Sequence, residues 1–167
     1  MERELGQLEE LMRRLLDEHR ELLGLVRRKR EAVRMGKPDL ITDCCVRENR
    51  HVQRIGELET ARQGVVGRLT EAWAAGADRP LKLGEVADRA GEPVRGRLIV
   101  MQSELIGLIQ TIRRENDIVG RATEGLVRHV QGVVQHVTQA VTGGGVYGRG
   151  GRVAAPSVAV SSFSLTG

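Results

Sequence analysis

The chain has 167 residues and a formal net charge of +4, a length that suits one domain, or one domain with a tail. Hydrophobic residues make up 40% but aromatics only 2% (Trp73, Tyr147 and Phe163), so a core must be built from Leu, Val, Ile, Met and Ala, the filling of packed helices. Arg149 and Arg152 supply half of the net charge, which leaves +2 over residues 1–142 and excludes a strong nucleic-acid footprint.

Residues 3–35 carry the first helical period. Leu5, Leu8, Met12, Leu15, His19, Leu22, Val26, Lys29 and Val33 recur at alternating spacings of three and four, a coiled-coil-like seam. Leu11, Leu16 and Leu23 widen it into a face able to meet more than one neighbour. The RRKR run at Arg27 to Arg30 spreads around the whole helix rather than along a stripe, so it reads as a solvated face with Glu21 and Glu31 in pairing range. MGKPD then breaks the helix: Gly36 suits a C-cap and Pro38 a new first turn.

A second helix is predicted over 39–75, with the seam Ile41, Cys44, Glu48, Val52, Ile55, Leu58, Arg62, Val65 or Val66, and Leu69. The short joint folds the two helices into an αα-hairpin. Cys44 and Cys45 are adjacent, point about 100° apart on a helix and read as small buried apolar residues rather than a disulfide. Gly76, Pro80 and Pro93 then bound a connector of about 20 residues with a short helix at 83–90. Its length would let the chain cross from one end of the hairpin toward the other.

The last helix, over 94–142, has the strongest period. Its heptad positions are Val94, Leu98, Met101, Leu105, Leu108, Ile112, Glu115, Val119, Ala122, Leu126, His129, Val133, His136 and Ala140. Eleven of these are apolar, so the repeat is not chance. Such a helix is on the order of 70 Å long, so part of it should project beyond the shorter hairpin or fold back. Val127, Val130, Val134, Val137 and Val141 add a second apolar row near its end. The backbone there is a poor intrinsic helix, because valine is β-branched and Gly120, Gly125 and Gly132 each cost roughly 1 kcal/mol relative to Ala. A wide apolar arc on a weak helix suits a segment that orders when it binds. Residues 143–167 form a Gly/Ser/Val-rich tail, expected to be flexible, with Tyr147 the one tyrosine.

No constellation for chemistry emerges, so the chain is read as a non-enzyme with no catalytic, cofactor or metal residues. Glu48 and His51 make one E-x-x-H pair, where a di-iron bundle needs two and further carboxylates. His129 and His136 lie two turns apart without further ligands and read as partner-facing positions, where burial would make the contact pH-dependent. The glycine tract lacks the Lys-Ser/Thr ending of a phosphate loop. PLKLGEVADRAGEPVRGRL has a helix-turn-helix flavour, but its second helix runs on into the long one. MERELGQLEE is not a signal peptide, and no stretch reaches the roughly 18 apolar residues of a membrane span. The expected location is cytoplasmic.

These segments together resemble the FlgN family of flagellar type III export chaperones. A leucine-rich first helix, a Lys/Arg stretch and a turn are followed by Glu48, Ile55, Leu58, Glu59 and Arg62 at the family's places. The connector resembles the family's middle segment. IRRENDIVGRATEGL resembles its asparagine region, with Asn116 as the asparagine, Val119 after it and Arg113 where a second asparagine often stands. VYGRGG is similar to its tail signature. The resemblance covers residues 5–151. It implies a chaperone that binds the terminal amphipathic segment of hook–filament junction (hook-associated) proteins through its C-terminal helical part and delivers them to the export gate. The client contacts would be Leu126, Val130, Val133, Val134, Val137 and Val141, with Tyr147 the gate contact. The expected fold is all-α: an elongated antiparallel bundle in a helical domain at 1–142, followed by a disordered tail. The alternative is a homodimeric coiled-coil adaptor with the same valines as its seam, and a weak homodimer is compatible with either reading.

Overall fold

In the computed structural model, residues 1–143 are described, with side-chain surroundings through residue 139. The tail, including Tyr147, and the side chain of Val141 lie outside the described residues. Four helices follow one another: α1 (Glu2–Arg34), α2 (Pro38–Trp73), α3 (Leu83–Ala90) and α4 (Val94–Gly143). No strand occurs among the described residues. The chain divides into two units, Met1–Leu126 and Val127–Gly167, with the boundary inside α4. α4 is one helix, unbroken at Gly120 and Gly125.

α1 and α2 pack along their length as an antiparallel hairpin. Their joint is a Schellman turn: Lys37 N–H donates to Ala32 O at 3.0 Å and Gly36 N–H to Val33 O at 3.1 Å, with Gly36 at φ +62° where a Cβ would be strained. Every seam position expected on α1 is buried or half-buried, and Leu11, Leu16 and Leu23 are buried beside them. On α2 the seam differs at one step. Val52 is 54% exposed, and His51 turns inward in its place, its Nδ1 donating to Glu18 Oε2 across the hairpin at 2.6 Å. The inward row, buried or half-buried, is thus Cys44, Glu48, His51, Ile55, Leu58, Arg62, Val65 and Leu69, a strict alternation of four and three. Cys45, expected to be buried, is exposed, while Cys44 is buried and burial pushes its thiol pKa up.

The connector does not cross the hairpin. Thr70, buried near the end of α2, donates its hydroxyl to Val66 O at 2.8 Å and accepts the N–H of Leu81 at 2.9 Å, which holds the returning chain at that end. α3 buries Val86 and Ala87 in the same cluster as Leu8, Leu69 and Leu98. Its first turn is clipped by Glu85, which accepts Lys82 N–H at 2.7 Å and both arms of Arg79 at 2.8 Å. The Arg79 guanidinium first, and the Lys82 amide second, hold the Glu85 pKa down to about 2.

α4 therefore starts beside the beginning of α1 and runs parallel to it. Three ion pairs give the register: Arg97 with Glu9 at 2.8 Å, Arg20 with Glu104 at 2.5 Å, and Arg30 with Glu115 at 2.8 Å. Leu98, Leu105, Ile112 and Val119, seven residues apart, are the positions α4 buries.

Candidate functional site

The buried seam of α4 stops at Val119, and the register explains why. Arg30 pairs with Glu115, so α1's last helical residue, Arg34, falls level with about Val119. Past that point α1 has turned away at Gly36. Ile118 is 40% and Leu126 41% exposed. In the second unit, Val127, Val130, Val133, Val134 and Val137 are each 48–57% exposed. Leu126, Val130, Val133, Val134 and Val137, expected as client contacts, are thus all exposed on α4, with Ile118 and Val127 beside them. His129 and His136, at heptad positions, are both exposed, as positions facing a partner would be in the single chain.

The polar seam positions have partners that the sequence did not reveal. Lys29 Nζ reaches Glu48 Oε2 at 2.5 Å, with both side chains only 13% exposed. Glu115 is buried enough to accept Arg30 on one oxygen at 2.8 Å and to meet Arg27 at 3.5 Å on the other. The RRKR run is therefore not simply a solvated face: Arg27 and Arg30 clamp α4, and Lys29 clamps α2. His19, buried on α1, lies 2.7 Å from Leu15 O through Nδ1. Glu48 and His51 are committed to Lys29 and Glu18, and no group of three His, Cys, Asp or Glu able to hold a metal occurs among the described residues. No described helix is long and apolar enough to cross a membrane.

Two grooves in the first unit were not legible from periodicity. One, of about 660 Å³, lies where α1 ends against α4, lined by Val33, Ile118, Ala122 and Leu126 with Arg30, Glu31 and Arg34. The other, of about 520 Å³, opens between α2 and α4 where the connector passes at Leu81, with Met12, Val66, Leu105, Ile106 and Ile109 in its walls. A seam written on one helix does not say where its partner stops, which is what opens the first groove. The signal that did exist was Glu115: a carboxylate at a heptad position demands a cation from the facing helix.

The described residues form an all-α protein whose last helix carries an exposed row of apolar side chains. The chain is a member of the FlgN protein family, whose model matches residues 1–155, and the family places it among flagellar export chaperones. No curated protein and no solved structure matches the chain.

Proposed function

We propose that this chain binds the terminal amphipathic segment of hook–filament junction (hook-associated) proteins in the cytoplasm and hands them to the type III export gate. The observation that carries the reading is the uncovered arc on α4. Half-exposed Leu126, Val130, Val133, Val134 and Val137 are apolar side chains whose burial by a client contributes roughly 25 cal/mol per Å², less the cost of ordering both partners. Val141 extends the proposed contact by sequence spacing, and the family match supports the client class.

Capture of purified junction proteins by the Val130→Asp plus Val137→Asp variant tests the site. The expected result is loss of capture with helical content retained; undiminished capture refutes the assignment. Tyr147 is the proposed gate contact. Tyr147→Ala should bind client normally and export it poorly, and normal export returns the tyrosine to the role of a linker residue.

The heptad spacing of the exposed valines favours one rival, a homodimeric adaptor using the same stripe as its seam. Sedimentation at micromolar concentration separates them. A tight dimer that excludes junction proteins supports the adaptor; a monomer, or a dimer that client dissociates, supports the chaperone.

A further inference from the structure

The core of the first unit falls into two clusters. The larger ties Leu98 and Leu105 of α4 to α1, α2 and the connector, with Leu8, Leu69, Leu81 and Val86 among the partners. The smaller sits nearer the hairpin turn and holds one buried residue of α4, Ile112, against Leu22, Leu23 and Val26 of α1. The backbones of α1 and α2 approach closely along the hairpin; among the described residues, α4 does not run that close to either. α4 is therefore held by the reach of its side chains. The hold is firm at the connector end and rests on little apolar area at the turn end.

Charge supplies the rest of the hold at the turn end. Glu115 takes the inward position one turn beyond Ile112, with its side chain 14% exposed. Arg30 donates to one of its oxygens at 2.8 Å, and Arg27 stands 3.5 Å from the other. Both arginines belong to α1, so Glu115 keeps them only while α4 lies against it. Withdrawing a carboxylate from water is costly, and the two arginines offset that cost without adding much beyond it. Their own side chains are 56% and 39% exposed for Arg27 and Arg30, so dissolved salt reaches the contact. A leucine at this position would hold α4 by apolar burial at any ionic strength, whereas a glutamate holds it by an attraction that salt weakens.

Between the two clusters α4 carries a place to bend. Gly107 is exposed and a Cβ there would meet no neighbouring atom, so no packing stiffens that turn. One turn on, Thr111 donates its hydroxyl to Gly107 O at 2.8 Å, a back-bond of the kind that bends helices.

We propose that residues 112–126 of α4 form a strap latched to α1 by Glu115. Closed, the strap covers Leu22, Leu23 and Val26. Released, it swings at Gly107–Thr111, leaves Leu98 and Leu105 seated, and bares those three residues of α1. The device lies wholly in the first unit and does not depend on what the valines bind.

Spin labels on two cysteine pairs of the full chain read the strap. Cys45→Ser removes the exposed thiol and leaves only the buried Cys44. Asn49→Cys with Asn116→Cys spans α2 and the strap, and Gln63→Cys with Ser103→Cys spans α2 and α4 on the connector side of the hinge; all four positions are exposed. Raising sodium chloride from about 50 mM to about 500 mM should move part of the strap pair to longer distance and leave the other pair unchanged. Arg27→Gln plus Arg30→Gln strands the carboxylate, and at low salt the long-distance fraction should rise at least about threefold. Glu115→Leu should keep the strap pair short at every salt concentration, and should do so again when combined with the two arginine substitutions.

A strap pair that ignores both salt and the arginine substitutions overturns the proposal. So does a strap that Glu115→Leu opens, or one that remains salt-dependent with leucine in place. Movement of both label pairs together means that α4 leaves as a whole, and it overturns the hinge. If the arginine variant loses its helical signal, the Glu115→Leu chain decides: loss of the salt response supports the latch, and its persistence refutes it.

Discussion

Replacing Lys29 with methionine tests whether the polar seam is part of the hairpin's stability or an incidental contact. Lys29 Nζ and Glu48 Oε2 are 2.5 Å apart between α1 and α2, and each side chain is only 13% exposed. Glu48 Oε1 is already buried without a hydrogen-bond partner, so Lys29 is the group that compensates the carboxylate. Lys29→Met keeps the aliphatic volume and strands that charge. Breaking a buried pair by removing one partner costs about 3–5 kcal/mol, and the residual access of water to Glu48 brings the expectation to about 2–3 kcal/mol. With a urea slope of about 2 kcal/mol per molar, the midpoint of the main unfolding transition should fall by about 1 M with the slope unchanged. Adding Glu48→Leu removes the stranded charge. The double variant should return to within about 1 kcal/mol of the unaltered chain, because two apolar side chains can pack where the pair was. The reasoning is wrong if Lys29→Met shifts the midpoint by less than about 0.2 M, the equivalent of about 0.4 kcal/mol. It is equally wrong if the two substitutions simply add.

Thr70→Val leaves the buried N–H of Leu81 without an acceptor and should destabilise the chain by about 1–3 kcal/mol in the same urea titration, while Thr70→Ser keeps the hydroxyl and most of the stability. Gly36→Ala meets no neighbouring atom, yet its φ of +62° is unfavourable for a side chain, so the loss should be about 1 kcal/mol and confined to backbone strain. The Glu85 clip gives a pH signature. Its folded pKa of about 2 lies below the ordinary 4.5, so its contribution is whole above about pH 4.5 and disappears as the pH falls through about 2. Stability curves of the unaltered chain and Glu85→Gln should therefore differ at pH 6 and converge toward pH 2; curves that stay parallel refute the clip.

Periodicity located the helices and the faces, because burial along a helix leaves a mark at every third or fourth residue. The α1 seam is legible from Leu5 to Val33 for that reason. On α2 the same rule stumbled at one position: Val52 is the more apolar choice, but Glu18 on the facing helix gives His51 a partner and turns it inward. The partners of Lys29, Glu48 and Glu115 were out of reach for a related reason. Which charges meet depends on the offset between helices, and no single helix encodes it. The connector shows the same limit. Its length permits a crossing, and only the bond from Leu81 to Thr70 decides that the chain turns back where it stands. On the site, the valines were legible as an apolar arc, whereas the exposure of Ile118 depends on where α1 ends, which no single helix encodes.

The composition also changes along α4. Where α1 covers it, the inward residues are Leu98, Met101, Leu105, Leu108 and Ile112. Past Val119, apart from Leu126, the arc is built from valines. A valine has one methylene fewer than a leucine, so each such choice lowers the cost of standing in water by about 0.8 kcal/mol at most. The glycines at 120, 125 and 132 weaken the same stretch by roughly 1 kcal/mol each relative to Ala. The two features act in one direction. The covered half of α4 is composed to pack. The uncovered half is composed to remain tolerable without a partner, and it spreads whatever affinity it has along many modest side chains rather than concentrating it in one large anchor. On the proposed binding face, client capture should fall gradually as single valines are trimmed to alanine and abruptly when a charge is placed in its middle, which is why the aspartate pair at Val130 and Val137 is the decisive substitution.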